Sequence, residues 1–232
     1  MDLVRFRKIG RIPELSEDYS LIARSVANEG SLLFLFVERA AERAVAETFQ
    51  LDIGTPYKNG RSKALLSHKG GSRLDRNNRA TRTRCDVSPS RPDGRVLLVG
   101  ARCSFRAEGD YDLNGIVIDP LSGRSTRMLL GDGIRGVQVD DLGRIWVSYF
   151  DEGIFGNFGW GDPGSAPVGL AGLVCFSDSG EKIWEYPYQT HDPISDCYAL
   201  NVSGSQAAIF FYTDFPVCRI SSDFKLSTGK QI

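Results

Sequence analysis

The densest group of polar and aromatic side chains in the sequence lies between Ser148 and Asp162. It follows directly on the apolar run Ile145–Val147, so we expect it to leave a strand as a long loop, where binding groups tend to gather. Its carboxylate and amide oxygens could bind Ca²⁺ or act as acid–base groups in an aromatic-walled pocket. Equally, its glycines could set turns while its aromatic rings pack inside and its carboxylates face water. The acidic residues lack EF-hand spacing, so the sequence assigns no metal site.

A second loop of this kind, Tyr212–Pro216, occurs near the end of the sequence. In the repeat described below, this second loop occupies the same place as the start of the first loop. This equivalence predicts that Asp214 and Asp151 line the same face. The candidate ligand-binding residues are Tyr149, Asp151, Glu152, Asn157, Trp160, Asp162 and Asp214. The sequence indicates no catalytic residue and no cofactor, with Ca²⁺ as the ion that these oxygens could take.

Two motifs resemble catalytic or cofactor signatures, but the residues around them lack the structural elements that such sites require. Gly131–Gly136 has the G-x-G-x-x-G spacing of a dinucleotide site, which requires a helix to follow it. The residues that follow, Val137–Gly143, alternate and end in a turn, so we interpret the motif as a loop that joins two repeats. Thr190–Asp196 contains Ser, His and Asp together, but no nucleophile elbow surrounds the serine, and we interpret it as a turn.

The elements that must position these loops form an internal repeat. A turn followed by an apolar strand recurs at Asn28–Leu35, Val87–Val99, Val139–Val147 and Val202–Phe210. A second hairpin falls between these copies, since Gly115–Gly123 matches Gly172–Gly180 and a third copy begins at Val217. Two alternating hairpins make four strands, which is one blade of a β-propeller. The predicted fold is therefore all-β, built from four-stranded antiparallel propeller blades.

The repeat also predicts the organisation of the chain. We expect an N-terminal blade-like segment over residues 1–50, a basic and poorly ordered insertion over 51–84, and propeller blades over 85–232 with the last blade incomplete. Propellers close with about four to eight blades, and four blade starts with an incomplete last blade predict a partial or incomplete ring. Between Lys58 and Arg84 there are nine Lys or Arg residues and one Asp, but no aromatic residues for base stacking, which favours an insertion over a nucleic-acid-binding arm.

Composition excludes several classes of function. The chain has 28 Lys and Arg residues against 29 Asp and Glu residues, so its net charge of −1 gives no bulk attraction to nucleic acid or to an anionic membrane. Its longest apolar run, Leu32–Val37, is too short to span a bilayer. None of the five cysteines forms a C-x-x-C motif, which favours buried free thiols in a reducing compartment. We therefore expect a cytoplasmic protein with no nucleic-acid or membrane partner.

Four segments together resemble an uncharacterised family of bacterial propeller-like proteins. These segments are Gly131–Ile134, Ile145–Gly153, Asp196–Asn201 and Tyr212–Pro216, and the likeness covers roughly residues 85–220. The Gly-x-Ile-Trp-Val element at Gly143 is also similar to the blades of two-component-regulator propellers. The resemblance implies a propeller fold and no particular activity.

Three hypotheses about function remain open from the sequence, and whether the chain is an enzyme is one of the open points. The first is a non-catalytic binding or interaction module with a protein or small-molecule partner. The second is a metal-dependent, lactonase-like propeller hydrolase that uses Asp151, Glu152 and Asp214, which requires these carboxylates to lie on the same face. The third is a truncated product without function.

Overall fold

The computed structural model describes residues 17, 19–26, 32–39, 64–68, 73–76, 85–88, 95–119, 124–161 and 165–229. These residues form four antiparallel sheets of four strands each, and the order of the sheets follows the chain. The first sheet contains β1 (Tyr19–Val26), β2 (Leu32–Glu38), β3 (Ala64–His68) and β4 (Arg73–Arg76). The second contains β5 (Cys85–Ser88), β6 (Val96–Gly100), β9 (Gly115–Ile118) and β10 (Ser125–Met128), and the separate hairpin β7 (Phe105–Ala107) and β8 (Asp110–Tyr111) lies between β6 and β9 in the chain.

The third and fourth sheets repeat this pattern. The third contains β11 (Ile134–Val139), β12 (Ile145–Tyr149), β13 (Leu173–Phe176) and β14 (Lys182–Glu185), and the short helix α1 (Asp151–Phe155) follows β12. The fourth contains β15 (Asp196–Ser203), β16 (Gln206–Tyr212), β17 (Val217–Ile220) and β18 (Leu226–Gly229). In every sheet the strands are ordered as they follow one another in the chain, which is the meander of a propeller blade.

The four blades stack side by side through their first strands. β1 contacts β5, β5 contacts β11 and β11 contacts β15, while no comparably extensive contact joins β1 to β15 among the described strands. The predicted fold class is therefore confirmed: the chain is an all-β protein of four-stranded antiparallel propeller blades whose described sheets form an open arc. We number the blades one to four in chain order.

Burial along the strands shows where the core lies. Every residue of β12 and β13, in the third blade, is buried, so both faces of these strands are covered. β16, in the fourth blade, alternates between buried and more exposed residues, as a strand covered on one face does. The core therefore lies between the blades, with Trp146, Leu173 and Phe211 among its fully buried large side chains.

The predicted division of the chain at residues 50 and 84 stays a prediction. Within 51–84 the structure describes β3 and β4, which belong to the first blade, and the other residues of that segment lie outside the described part. The fourth blade has four described strands, of which β17 and β18 are the last two. Both strand pairs are short, and β4 carries two charged arginines, so neither has the long apolar run on which the sequence-based prediction depended.

The predictions about the Gly131–Gly136 motif and about four of the cysteines are confirmed. Gly131–Gly136 joins the second blade to the third and runs directly into β11, as the loop interpretation predicted. Cys103, Cys175, Cys197 and Cys218 are free and buried, also as predicted. Within the described ranges, no helix is long and apolar enough to cross a membrane.

Candidate functional site

The long connections of the blades meet at one end of the sheets. Ile134 pairs with Tyr149 across β11 and β12, so the start of β11 and the end of β12 lie at the same end, and β15 and β16 repeat this arrangement. We call this the loop end. Its described connections are residues 101–114, 129–133, 150–161, 165–172, 186–195 and 213–216. The opposite, turn end carries the short connections 140–144, 177–181, 204–205 and 221–225.

Helix α1 is fixed at the loop end by the loop that joins the second and third blades. The Phe150 amide donates a hydrogen bond of 2.9 Å to the Gly133 carbonyl. Gly133 has a φ of +66°, and a Cβ atom there would lie 2.2 Å from the Gly153 nitrogen. Only glycine allows both this backbone conformation and this approach. The G-x-G-x-x-G spacing therefore serves close packing between backbones, and it places Asp132 directly beneath α1.

Arg102 connects three parts of the loop end. Its guanidinium forms an ion pair of 3.1 Å, Nη2 to Oδ2, with Asp132 and a second ion pair with Glu152. It also lies 4.3 Å from the Phe158 ring centroid and 5.5 Å from the Phe150 ring centroid. An arginine between two rings and two carboxylates is held by charge and by cation–π attraction together. This ion-pair network joins the connection after β6 to the loop after β12.

Asp132 is the buried member of this network. Its Oδ1 accepts a hydrogen bond of 2.8 Å from the Cys103 amide, and the residue is 3% exposed. Its Oδ2 contacts Arg102 only as an ion pair and has no hydrogen-bond partner. Burial raises the pKa of Asp132 to about 6, although the Cys103 amide and the Arg102 charge act in the opposite direction. Desolvation of the carboxylate therefore outweighs its favourable contacts with the Cys103 amide, the Arg102 guanidinium and the Gly133 amide.

Glu152 is the partly exposed member of the same network. Arg102 holds the pKa of the Glu152 carboxyl below its ordinary value, and a hydrogen bond with Asn157 acts in the same direction. Glu152 is therefore held as a carboxylate rather than as a proton donor. The network contains one guanidinium and two carboxyl groups, and this favours a role in fixing the loops over a role in proton transfer.

A second group of charges lies near the start of β15. Asp196 carries a buried Oδ1 without a hydrogen-bond partner. Burial raises the pKa of Asp196, the nearby Arg135 charge lowers it, and the nearby Asp151 charge raises it further. Arg135 and Asp196 lie on the first strands of adjacent blades, so this group sits where the third and fourth blades meet at the loop end.

The sequence-predicted site residues divide into buried and exposed ones. Tyr149 is fully buried and donates a hydrogen bond of 2.5 Å to the Leu130 carbonyl, and burial raises its pKa well above the ordinary value. Trp160 is 7% exposed, donates to the Cys103 carbonyl at 2.8 Å and packs 5.0 Å from the ring of Phe105. Both rings lie in the interior, where the polar atom of each has a hydrogen-bond partner, and the prediction that they wall a pocket stays a prediction.

The remaining predicted residues lie nearer the surface. Asp151 and Asn157 are exposed, Glu152 is partly exposed, and Asp214 is exposed with a φ of +62°. The structure brings Glu152 together with Asn157, and Asp151 near Asp196, while Asp214 lies at the same end in the next blade. Asp162 lies outside the described residues. The assignment of these residues to ligand binding stays a prediction.

Sequence reasoning did not select four charged residues that the loop end contains: Arg102, Asp132, Arg135 and Asp196. A signal existed for Asp132, which is an acidic residue between two glycines in a connection between blades. Arg102 carried no local signal, because its partners are 30 and 50 positions away in the chain. Among the described residues, no group of three His, Cys, Asp or Glu side chains is placed to hold a metal ion.

No model of a known protein family matches the chain, and no curated protein matches it. Solved structures that are similar include streptogramin B lyase, at 10% identity and a TM-score of 0.48 over 95% of this chain and 57% of the lyase chain. The β-propeller domain of the Trilobed protease from Pyrococcus furiosus is similar at 11% identity and a TM-score of 0.45, over 91% of this chain and 57% of that chain. Pyrococcus horikoshii acylaminoacyl peptidase is similar at 11% identity and a TM-score of 0.49, over 92% and 32%.

The chain thus spans a little over half of the first two of these proteins and about a third of the peptidase. At these identities and TM-scores the likenesses carry no inference about activity. The order and pairing of the strands identify the propeller blades independently.

Proposed function

We propose that the chain is a non-catalytic binding module, and that its loop end binds a partner carrying positive charge. The observation that supports this most directly is the pair of exposed carboxylates, Asp151 and Asp214, at the same end of adjacent blades. Phe155 follows Asp151 by four positions on α1, which places it on the same side of the helix, and it is 66% exposed. Carboxylates beside an exposed ring suit an ammonium or guanidinium group, through ion pairing and cation–π attraction.

The other charges of the loop end support binding over catalysis. Arg102, Asp132 and Glu152 are engaged with one another, so they are not free to exchange protons with a substrate. The exposed carboxylates are outside that network. Binding residues are commonly carried on loops that a rigid scaffold positions. We therefore propose a Lys- or Arg-containing peptide segment as the ligand class.

The test is the binding of a fluorescein-labelled hexa-arginine peptide, measured by fluorescence anisotropy at low and at high salt. We expect Asp151→Asn and Asp214→Asn each to weaken binding about two- to fivefold, the size of an exposed ion pair. Asparagine also tolerates the left-handed backbone at position 214. The matched control is Asp141→Asn, which removes one exposed carboxylate at the turn end and should leave binding unchanged.

Two results would contradict the proposal. If the three variants weaken binding equally, the peptide senses only the net charge of the protein. If neither hexa-arginine nor hexa-lysine binds more tightly than hexa-glutamate at low salt, the loop end is not a site for cationic partners.

The alternative of a metal-dependent hydrolase meets one of its requirements, since Asp151 and Asp214 lie at the same end of the blades. No further observation favours it, because within the described residues no group of three potential metal ligands lies together. The resemblance to bacterial and two-component-regulator propellers remains a proposal about family. A cytoplasmic location is also proposed, and the four free, buried thiols support it, since such thiols are typical of reducing compartments.

A further inference from the structure

Each inner blade of the arc has two packed faces, and the contacts between the third and fourth blades show which strand positions form them. Gln138 of β11 donates to the Leu200 carbonyl of β15 at 3.1 Å and accepts from the Val202 amide at 2.5 Å, and Ser148 of β12 lies near Cys197 of β15. Ser148 is 1% exposed and Cys197 is fully buried. Ser148 therefore marks the face of the third blade that meets the following blade, and Cys197 marks the face of the fourth blade that meets the preceding one.

The same positions can be identified in the first, third and fourth blades, because the first strand of each of these three carries the same irregularity. A bulge follows Ile134 in β11, Cys197 in β15 and Leu21 in β1, and in each case one residue lies opposite no partner. Aligned on this bulge, Ser148 of the third blade corresponds to Phe210 of the fourth. Leu173, which pairs with Ser148, corresponds to Val217, which pairs with Phe210.

The outward face of the fourth blade repeats a packing face, but among the described residues no neighbouring blade covers it, and only the ring of Phe215, from the same blade, packs on it. Leu173, which pairs with Ser148, is fully buried, whereas Val217 at the equivalent position is 39% exposed. On the same face Tyr212 is 46% exposed, and Tyr198, which contacts the ring of Phe210, is 41% exposed. We call Tyr198, Phe210, Tyr212 and Val217 the end face. Contiguous exposed aromatic and aliphatic side chains of this kind mark an interaction surface.

The first blade carries the complementary uncovered position. Ile134 and Cys197, which follow the same alignment, are 3% and 0% exposed because each meets the preceding blade. Leu21 holds this position in the first blade and is 37% exposed. The end face of the fourth blade therefore corresponds to the surface with which a blade packs on the following blade. The Leu21 position of the first blade corresponds to the surface with which a blade packs on the preceding blade.

We propose that two copies of this chain associate head to tail. The end face of each copy packs against the first blade of the other copy, around Leu21. This interface continues the stacking that already joins blades one to four. Two copies supply eight blades, which is within the range of closed propellers, and a heterologous contact that closes gives a ring rather than a filament. The partner is thus a second copy, since the chain itself carries both halves of the interface.

The test is the molar mass of the purified full chain by light scattering after size exclusion, over a hundredfold range of concentration. We expect a mass of twice the 25.6 kDa of one chain. Val217→Arg and Leu21→Arg should each give the monomer mass, since a buried unpaired charge weakens an apolar interface by at least about tenfold. Ile183→Arg is the matched control: Ile183 is 44% exposed on β14, away from both faces, and its variant should keep the doubled mass.

Mixing the two monomeric variants distinguishes a head-to-tail arrangement from other dimers. In a mixture of Val217→Arg and Leu21→Arg, one of the two interfaces carries both substitutions and the other carries neither. We therefore expect the mixture to recover the doubled mass. All variants should retain the circular dichroism spectrum of the wild type, and Tyr212→Arg replaces Val217→Arg if the latter does not fold.

Three outcomes would overturn the proposal. A monomer mass at every concentration means that no second copy covers the end face. A Leu21→Arg variant that keeps the doubled mass means that the copies meet through another surface. A mass that continues to grow with concentration means an open filament instead of a closed pair.

Discussion

Asp132 shows how a single residue of the loop end is set by its surroundings. Its carboxyl group has one hydrogen bond and one ion pair, yet burial raises its pKa to about 6. The folded protein therefore binds this proton more tightly than the unfolded chain, whose carboxyl keeps the ordinary value of 3.8. The contribution of Asp132 to the free energy of unfolding is therefore greatest below pH 4 and is lost as the pH rises through about 6.

This predicts a pH-dependent difference between the wild type and Asp132→Asn, whose amide does not titrate. The free energy of unfolding of the wild type, relative to the variant, should fall by about 1–3 kcal/mol between pH 4 and pH 6.5. Urea denaturation across that range provides the measurement. A difference that is constant or rises with pH would contradict the assigned pKa.

Asp223→Asn is the control for this experiment. Hydrogen bonds from Lys225 and Ser221 lower the pKa of Asp223 to about 2. Both this value and the ordinary value of 3.8 lie below pH 4.5, so from that pH upward the carboxylate is mostly ionised in the folded and unfolded states. The difference between wild type and this variant should stay flat from pH 4.5 to pH 6.5.

At the scale of elements, the turn between β11 and β12 explains how one blade is fixed to the next. Asp140 is fully buried and accepts hydrogen bonds from the Leu142 amide at 2.9 Å and from the Trp146 indole at 3.0 Å. It also pairs with Arg144, Nε to Oδ2, at 2.6 Å. Arg144 in turn donates to the Ser205 carbonyl of the fourth blade at 2.8 Å. The turn is thus a polar anchor between two blades.

We expect Asp140→Ala to lower the free energy of unfolding by about 3–5 kcal/mol, because it leaves the Arg144 guanidinium and the Trp146 indole without their buried acceptor. Urea denaturation followed by tryptophan fluorescence measures this. The neighbouring Asp141 is exposed, so Asp141→Ala should change stability by no more than about 0.5 kcal/mol. Equal effects of the two substitutions would mean that Asp140 is not an anchor.

At the scale of the whole molecule, the core is a series of interfaces between blades, and the cysteines report on it. Burial raises the pKa of the Cys175 and Cys197 thiols to about 12 and that of Cys218 to about 11, and it raises the pKa of Cys103 as well. Thiol reagents attack the thiolate, so both burial and the raised pKa protect these groups.

The predicted consequence is slow thiol modification of the native protein. In a Cys85→Ser variant, which leaves only these four thiols, reaction with Ellman's reagent at pH 8 should be at least about a hundredfold slower than for an unfolded chain. All four thiols should react in denaturing guanidinium chloride. Rapid modification of any thiol in the native variant would show that the blades separate at that position.

The sequence determined the repeating unit of this protein. Alternation of apolar and polar residues and the positions of turns are local properties, so they could be read from segments such as Val139–Val147 and Gly172–Gly180. The same local reasoning identified the loops after β12 and β16 and placed Asp151 and Asp214 at one end. It did not identify β3 and β4, because short strands with charged residues take their stability from neighbouring strands and not from their own pattern.

Only the tertiary structure decided which of the loop residues are buried and which charges meet. Tyr149 and Trp160 carry the same local signal as a surface aromatic, and their burial depends on the Leu130 and Cys103 carbonyls that the fold brings to them. Arg102 reaches Asp132 and Glu152 only because adjacent blades stack. Burial and charge pairing depend on contacts between distant parts of the chain, which is why the fold of the blades followed from the sequence and the arrangement of the loop end did not.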